Sequence, residues 1–357
     1  MAKAPTKKAA KKAKKTAKEV AGKAVKTKTA AQTAASVKTA AKKTVAKKAT
    51  TAAKKASSKS AASKKTKQSE STAKSKKKVT GYGSGGVDVV MSVDQVAKEA
   101  ASIAANAPSH KELLKLAGKE SLLTINSLRA GYGKMEILHD FNLEVAKGQS
   151  LCLIGPNGAG KSTVLHSIFG FTNIFSGKIS IGGKDVTNLT PSQKLSEAGI
   201  AYILQDKSVF PQMTVEENLL MGGFLKNQPA EAKAAAEMVF DKYSRLADRR
   251  DKPAGVLSGG ERRLLEISRA LVMNPEVLLV DEPSIGLEPR FIDMVFEILD
   301  DLQHRDGKTI IMVEQNAKKG LSFADLGYVL VSGETAIAGA GDNLLQNPDV
   351  GRLFLGG

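Results

Sequence analysis

The sequence predicts an α/β fold that is built on a mostly parallel sheet and preceded by a disordered basic tail. Apolar runs typical of buried strands alternate with helical patterns from about residue 121 onwards. A glycine-rich loop follows the apolar run 150–154 and precedes a helical pattern that continues from Val164. The first eighty residues contain 26 lysines and almost no large apolar side chains, so they cannot bury enough surface to offset the entropy of ordering.

The predicted tail, residues 1–80, differs sharply in composition from the rest of the chain. Its lysines are opposed only by Glu19 and Glu70, so this segment has a formal charge of +24. Because the whole chain has a formal net charge of +18, the remainder is net acidic at −6. Its composition is similar to that of histone H1-like tails. Such a segment would attract phosphate polyanions or an anionic lipid surface, and a tail that serves only solubility is the alternative.

Composition also bounds the cellular setting. No run of eighteen apolar residues occurs, so the chain is not predicted to cross a membrane, and no secretory signal is recognised at the N-terminus. The single cysteine, Cys152, lies within a strand-like run, which rules out an internal disulfide and predicts a reducing, cytoplasmic compartment.

A connector, residues 81–120, is predicted to follow the tail. Its glycine-rich start predicts a flexible hinge. A capping box that begins at Ser92 predicts a helix that ends near Asn106, and a second short helix is predicted to begin at Ser109 and to end before Gly118. No chemistry is assigned to this segment.

Residues 121–357 are predicted to form the packed α/β domain. Further strand-like runs lie at 122–125, 179–181, 200–204, 277–280, 309–313 and 328–331. Between about residues 206 and 262 the pattern is helical, with a capping box at Thr214 and a helix that Pro229 opens and that runs towards Asp248. A helical subdomain is therefore predicted as an insertion in the sheet.

The glycine-rich loop matches the phosphate-binding pattern G-x-x-x-x-G-K-[ST] at every fixed position. It consists of Gly155, Pro156, Asn157, Gly158, Ala159, Gly160, Lys161, Ser162 and Thr163. The glycines allow backbone N–H groups to turn around the β- and γ-phosphates, Lys161 adds a positive charge, and the Ser162 hydroxyl can ligate Mg²⁺. The motif thus predicts a bound nucleoside triphosphate with Mg²⁺.

Two carboxylates follow the apolar strand 277–280, at the edge of a parallel sheet where ligands bind. Asp281 can hold the Mg²⁺ shell opposite Ser162. Glu282 can polarise the attacking water and is the predicted general base.

A second glycine-rich turn, Ser258-Gly259-Gly260-Glu261, precedes another helical pattern. The positive end of a helix and the Ser258 hydroxyl there predict an anion site. Because the domain already has a phosphate loop, this second site is not needed for the same nucleotide.

Together these motifs resemble the ATP-binding subunit of ABC transporters, over residues 121–357. The resemblance implies the P-loop NTPase fold of ABC type, with a mostly parallel core sheet, an antiparallel β part and an inserted helical subdomain. It also implies an ATPase that binds ATP and Mg²⁺ and works as a head-to-tail pair. In such a pair Ser258, Gly259, Gly260 and Glu261 of one domain clamp the γ-phosphate held by the loop of the other.

Three further positions carry roles that the resemblance implies. Tyr132 corresponds to the aromatic residue that stacks on adenine. Gln205 corresponds to the glutamine that contacts Mg²⁺ and water and senses the membrane subunit. The segment 284–289 corresponds to the loop that crosses the dimer interface.

Gln315 stands where most ABC relatives have a histidine. A glutamine can hydrogen-bond a γ-phosphate but cannot become cationic or relay a proton. The segments 214–219, 221–223, 314–317 and 355–357 are similar to LivF-type subunits of branched-chain amino acid importers, whose members lack the lysine-rich tail.

The LivF-type resemblance implies a subunit at the cytoplasmic face of the inner membrane that drives import of branched-chain amino acids or related solutes. Its expected partners are membrane-spanning permease subunits, a LivG-type ATP-binding subunit or a second copy, and indirectly a solute-binding protein. The alternative is a soluble ABC-type ATPase that acts on nucleic acid or ribosomes through the tail. Such proteins usually carry two ATP-binding cores or a coiled-coil insertion, and this chain has neither.

Overall fold

A computed structural model describes residues 108–118, 120–205 and 208–354 of the chain. The predicted tail, the hinge and the helix predicted from Ser92 lie outside these residues. The second predicted connector helix is present as α1, His110–Ala117. Ser109 and Glu112 form a capping box at its start, and Gly118 ends it in the left-handed region.

The larger sheet has six strands: β3 (Ser150–Ile154), β6 (Ile200–Ile203), β7 (Val277–Asp281), β8 (Thr309–Val313), β9 (Leu326–Val331) and β10 (Glu334–Ala340). Their order across the sheet is β10-β9-β3-β8-β7-β6. The five strands from β9 to β6 in this order are parallel to one another, and β10 pairs antiparallel with β9. Every predicted strand of this sheet is present, whereas β10, rich in small residues, was missed. Both faces are buried because alternate side chains of the central strands enter different core clusters, Leu151 one and Cys152 the other.

The second sheet is antiparallel and has four strands in the order β2-β1-β4-β5. They are β1 (Ser121–Tyr132), β2 (Met135–Ala146), β4 (Asn173–Ile181) and β5 (Lys184–Asp185). The sequence predicted only parts of β1 and β4, at 122–125 and 179–181, and it missed β2. The first six residues of β4, 173–178, include no buried residue, so no core-facing pattern marks them. The antiparallel β part implied by the resemblance is therefore confirmed.

Helices cover the parallel sheet and fill the long connection from β6 to β7. They are α2 (Lys161–Phe169), α3 (Pro191–Ser196), α4 (Val215–Gly222), α5 (Pro229–Lys242), α6 (Ser244–Ala247), α7 (Gly259–Leu271), α8 (Pro289–His304), α9 (Ala317–Phe323), α10 (Gly341–Leu345) and α11 (Pro348–Phe354). No helix among these described residues combines the length and apolar character needed to cross a membrane.

The helical stretch between β6 and β7 has its own apolar cluster, which includes Val215, Leu219, Phe240 and Leu265. Thr214 caps α4 as the capping box predicts. The helix predicted from Pro229 towards Asp248 is wrong in one respect, because it breaks at Tyr243 (φ −124°, ψ 83°) into α5 and α6. The exact bounds of a helical subdomain, 206–262, stay a prediction, since α7 continues past them and Ile267 packs with the sheet.

Candidate nucleotide-binding site

The glycine-rich loop lies between a buried strand and a helix, as the sequence predicts. It leaves the carboxyl end of β3 and enters α2 at Lys161. Gly155, Gly158 and Gly160 have φ of +146°, +83° and +101°, which other residues rarely adopt. At Gly155 the backbone also approaches β9 so closely that a Cβ would lie 2.2 Å from the Leu330 carbonyl oxygen. Both the turn and the neighbouring strand therefore require glycine there.

Lys161 folds back over this loop. Its Nζ donates hydrogen bonds to the carbonyl oxygens of Gly155 and Pro156, at 2.9 and 3.0 Å. Burial lowers the pKa of Lys161, and the charges of Glu282 and Asp281 oppose that effect. The ammonium and the N–H groups at the start of α2 thus lie together, an arrangement suited to phosphate oxygens.

Asp281 ends β7 directly beside the start of α2. Its Oδ1 accepts a 3.3 Å hydrogen bond from the Ser162 hydroxyl, and its Oδ2 accepts a 2.7 Å bond from Tyr202 of β6. A serine hydroxyl and a carboxylate are hard oxygen donors that suit Mg²⁺ when phosphates supply the remaining ligands. The donor set therefore fits the metal that the sequence predicts.

Glu282 is the next residue and has a different environment. Its φ is +44°, an unusual value for a non-glycine residue, and its N–H donates to the Val313 carbonyl of β8 at 2.9 Å. Burial raises the pKa of Glu282, Asp281 adds to the effect, and Lys161 opposes it. A carboxylate with a raised pKa at a strained strand end is suited to accept a proton from water.

Gln205 contacts this carboxylate directly. Its side-chain amide donates to Glu282 Oε2 at 2.6 Å. The segment that carries Gln205 is held by the buried Arg263 of α7, which donates to the Leu204 carbonyl at 2.8 Å and pairs with Glu266 at 2.8 Å. The sequence placed Gln205 in the site, but it gave no sign of the arginine behind it.

Gln315 follows β8 at the same edge of the sheet, and its side chain is exposed. The preceding residue, Glu314, is buried and accepts hydrogen bonds from the N–H groups of Ser284 and Asn316, at 2.9 and 2.8 Å. Glu314 therefore ties the start of the 284–289 loop to the strand end that carries Gln315.

Tyr132 ends β1 and is 40% exposed. Its hydroxyl lies 2.5 Å from Nδ1 of His166, a residue of α2. The His166 ring also packs edge-on against Phe171 and Tyr202, and burial lowers its pKa, which keeps it neutral at pH 7. These aromatic rings lie beside the helix that follows the phosphate loop, a position suited to contact with a nucleobase.

Ser258 and Glu261 form the N-terminal cap of α7. The Ser258 hydroxyl donates to Glu261 Oε2 at 2.8 Å and accepts from the Glu261 N–H at 3.3 Å. Ser258 and Gly259 are exposed, so the positive end of α7 is open to solvent. Across the part of the chain that the structure describes, no hydrogen bond or ion pair joins residues 258–261 to the phosphate loop.

A cleft of about 500 Å³ lies between the start of α7 and the loop that follows β7. Gln205 and Gly259 line it on one side, and the exposed segment 285–287 lines it on the other. The cleft therefore connects the residue that contacts Glu282 with the second glycine-rich turn.

Comparisons with known proteins decide the family. A family model described as ABC transporter matches residues 138–285. The chain is 42% identical over 236 residues to the high-affinity branched-chain amino acid transport ATP-binding protein BraG of Pseudomonas aeruginosa, a match that covers 66% of this chain and 100% of that protein. The chain belongs to the ABC transporter family.

Other ABC relatives carry different names. The probable branched-chain amino acid transport protein LivF of Archaeoglobus fulgidus is 37% identical, with 66% of this chain and 99% of that protein covered. The lipopolysaccharide export protein LptB of Haemophilus influenzae is 32% identical, with 66% and 98% covered. The family is thus shared by proteins named for different substrates.

Solved ABC structures have the same fold. An ATP-binding cassette of an ABC transporter in its ADP conformation aligns with a TM-score of 0.60 and 30% identity, covering 67% of this chain and 100% of that one. A nucleotide-free cassette aligns with a TM-score of 0.59. The chain is accordingly an ATP-binding, ATP-hydrolysing subunit of the ABC type, and the predicted fold class is confirmed.

Within this ABC subunit, the predicted residues of the phosphate loop, Asp281, Glu282 and Gln205 meet at one edge of the parallel sheet. Tyr132 lies beside α2, and the Ser258–Glu261 turn lies across the cleft. Their individual roles stay predictions. Sequence reasoning missed four residues that hold the site: His166, Tyr202, Arg263 and Glu314. A polar residue in or next to an apolar strand is the signal that would have found Tyr202 and Glu314.

Proposed function

We propose that this chain energises the import of branched-chain amino acids or closely related solutes. The observation that carries the proposal is the match to BraG, which is 42% identical and extends over the whole of that protein. The relatives named for lipopolysaccharide export match at 32 or 33% identity. The LivF-type segments around Gln315 and Met221 support the same assignment.

Residues of the chain would divide the work of hydrolysis. Ser162 and Asp281 would hold Mg²⁺, which neutralises phosphate charge when bound. Lys161 and the N–H groups at the start of α2 bind the phosphates, Tyr132 contacts the adenine, and Glu282 accepts the proton of the attacking water. Gln205 holds the Glu282 carboxylate in position and would report the state of the membrane partner.

The Ser258–Glu261 turn, whose first two residues are exposed, would act on a second subunit. Because no hydrogen bond or ion pair joins the turn to its own phosphate loop among the described residues, its open helix end is available to the nucleotide of another ATP-binding subunit. That subunit is a LivG-type protein or a second copy of this chain. Permease subunits, which communicate with a solute-binding protein, would place the pair at the cytoplasmic face of the inner membrane.

The decisive experiment is affinity purification of the full chain from its native membrane in mild detergent. Two hydrophobic permease subunits and a second ATP-binding subunit are the expected companions, and radiolabelled leucine uptake should fall when the chain is deleted. If the chain is recovered with nucleic acid or ribosomes and without membrane proteins, the importer hypothesis would be wrong and the soluble ATPase would be favoured. If the permease subunits belong to a transporter for another solute, the role as a transporter subunit would hold and the assigned substrate would be wrong.

The lysine-rich tail, residues 1–80, is proposed as a cationic tether that attaches this transporter subunit to polyanionic surfaces. Its 26 lysines against two glutamates supply the charge, and its lack of arginines and of aromatic residues that could stack on bases favours sequence-independent attraction. Binding of the full chain to DNA and to phosphatidylserine vesicles should weaken steeply between 50 and 200 mM salt. A chain without residues 1–80 that binds both probes equally well would contradict the tether.

A further inference from the structure

The two oxygens of the Asp281 carboxylate have different partners. Oδ1 lies 3.3 Å from the Ser162 hydroxyl, on the side of the phosphate loop. Oδ2 accepts the 2.7 Å hydrogen bond from the Tyr202 hydroxyl. Tyr202 therefore engages Oδ2, whereas Oδ1 faces Ser162.

The position of the Tyr202 hydroxyl is fixed by its ring. Tyr202 lies in β6 opposite Leu279 of β7, two residues before Asp281. Its ring packs against those of His166, Phe169 and Phe171, with centroids 5.8, 5.6 and 5.9 Å away. Contacts with three rings restrict the rotation of the Tyr202 ring and thereby hold its hydroxyl in position.

The Tyr202 hydroxyl is the donor in this bond, and the Asp281 carboxylate oxygen accepts. A hydrogen bond from a hydroxyl to a carboxylate is charge-assisted and stronger than one between neutral groups.

We propose that Tyr202 is a positioning residue for the metal site: its hydroxyl holds Asp281 Oδ2, so that Oδ1 faces Ser162 where the Mg²⁺ of the nucleotide is held. Hydrogen bonds to a ligating carboxylate fix its orientation in this way in metal sites generally. This inference rests on the proposed use of Mg²⁺ by Ser162 and Asp281.

A purely structural role is the competing explanation for the bond. The strands β6 and β7 are already paired at four consecutive positions, from Ile200 with Val277 to Ile203 with Val280. The backbone thus holds the two strands together without the side-chain bond. A positioning role predicts an effect on metal dependence that a structural role does not.

The test compares Tyr202→Phe with Tyr328→Phe in the full chain. Tyr328 is a matched control, because it is a buried strand tyrosine whose hydroxyl bonds the Glu144 backbone, in β2. Calorimetry measures the affinity for a non-hydrolysable ATP analogue in EDTA and over a series of Mg²⁺ concentrations. Thermal unfolding of each variant is recorded alongside.

For Y202F we expect unchanged affinity in EDTA and a Mg²⁺ midpoint raised by about tenfold, as removal of such supporting bonds typically causes. Y328F should keep the wild-type Mg²⁺ midpoint even if its melting temperature falls. An equal loss of affinity for Y202F in EDTA and in Mg²⁺ would overturn the inference, as would a wild-type midpoint. If the affinity of the wild-type chain for the ATP analogue does not depend on Mg²⁺, the proposed metal site itself would be refuted.

A double-mutant cycle with Asp281→Asn separates the inference from indirect effects. If Tyr202 acts through the carboxylate, adding Y202F to D281N should change the Mg²⁺ midpoint by less than twofold. A further tenfold increase in the double variant would mean that Tyr202 acts by another route, and the proposal would fail.

Discussion

At the scale of residues, charge is concentrated at the ends of neighbouring strands. Lys161, Asp281 and Glu282 lie within each other's electrostatic reach, so the pKa of the lysine is lowered by burial while the carboxylates oppose that change. Glu282 has a raised pKa and a left-handed backbone, and Gln205 holds one of its oxygens. A residue in this position is arranged for proton transfer at a fixed point.

Replacement of Glu282 by glutamine should separate binding from hydrolysis. Because E282Q keeps the shape and an oxygen that can accept from Gln205, nucleotide affinity should stay within about threefold, while phosphate release falls by at least about 100-fold. Steady-state phosphate assays and nucleotide titrations measure the two quantities. Glu276→Gln, at the exposed opposite end of β7, is the control and should retain the wild-type rate. More than a tenth of the wild-type rate in E282Q would contradict its role as the base.

Two glycines of the phosphate loop should differ in their tolerance of alanine. A Cβ at Gly158 meets nothing within 4 Å. G158A should therefore lower the free energy of unfolding only by the cost of an alanine in the left-handed region, about 1 to 2 kcal/mol. A Cβ at Gly155 adds a collision with the Leu330 carbonyl, so G155A should lose clearly more unfolding free energy. Urea unfolding without nucleotide measures both, and equal losses would mean that β9 moves away at no cost.

At the scale of elements, α3 docks on the end of α2 through a buried lysine. Lys194 is fully buried, and its Nζ donates to the Ser167 carbonyl in the last turn of α2 at 3.2 Å. Burial lowers the pKa of Lys194 to about 8. A cation at a helix C-terminus is favourable, but within the part of the chain that the structure describes no ion pair with a carboxylate offsets the desolvation of Lys194. Its charge is therefore a cost to the fold.

This cost predicts a rise in stability with pH. Between about pH 8 and the ordinary pKa of 10.5, the unfolded chain binds the Lys194 proton and the folded chain does not, so unfolding becomes less favourable as pH rises. The gain should be on the order of 2 kcal/mol. Lys194→Met should abolish it, and Lys134→Met, at an exposed turn, should not. Chemical denaturation from pH 7.5 to 10 tests this, and an identical pH slope in wild type and K194M would refute it.

At the scale of the whole molecule, the two glycine-rich motifs lie on separate surfaces. The phosphate loop and the Asp281–Glu282 pair lie at the carboxyl edge of the parallel sheet, whereas Ser258 lies at an exposed helix start. The cleft beside Gln205 joins these surfaces. Under the proposed function, the Ser258 turn would bind the nucleotide of a second subunit, so the site would be completed by association.

Association should accordingly depend on ATP. With Mg²⁺ and ATP, the E282Q chain should change from monomer to dimer in light scattering, and ADP should not cause this change. Ser258→Arg places a bulky cation at the open helix end and should prevent dimer formation in the same background while ATP binding persists. A chain that stays monomeric with saturating ATP would exclude a homodimer and direct the search to a different ATP-binding subunit.

Local patterns predicted the elements whose burial is uniform. The strands β3, β7 and β8 are buried throughout because both faces of the parallel sheet are covered, and the helix starts predicted at Ser109 and Thr214 are both present. β2 was not among the predicted strands although Phe141, Leu143 and Val145 alternate with polar residues, and β10 was missed because most of its residues are small. The break at Tyr243 escaped as well, since helix propensity does not reveal where tertiary packing ends a helix.

The site divides in the same way. The sequence by itself determined the phosphate loop, the Asp281–Glu282 pair and the second glycine-rich turn, because each depends on residues adjacent in the chain whose spacing carries the chemistry. Only the tertiary structure decided that Tyr202 holds Asp281, that Arg263 braces the Gln205 segment and that Glu314 ties down Ser284. Those contacts join residues 30 to 79 positions apart in the chain, and which of them meet is set by how strands and helices pack.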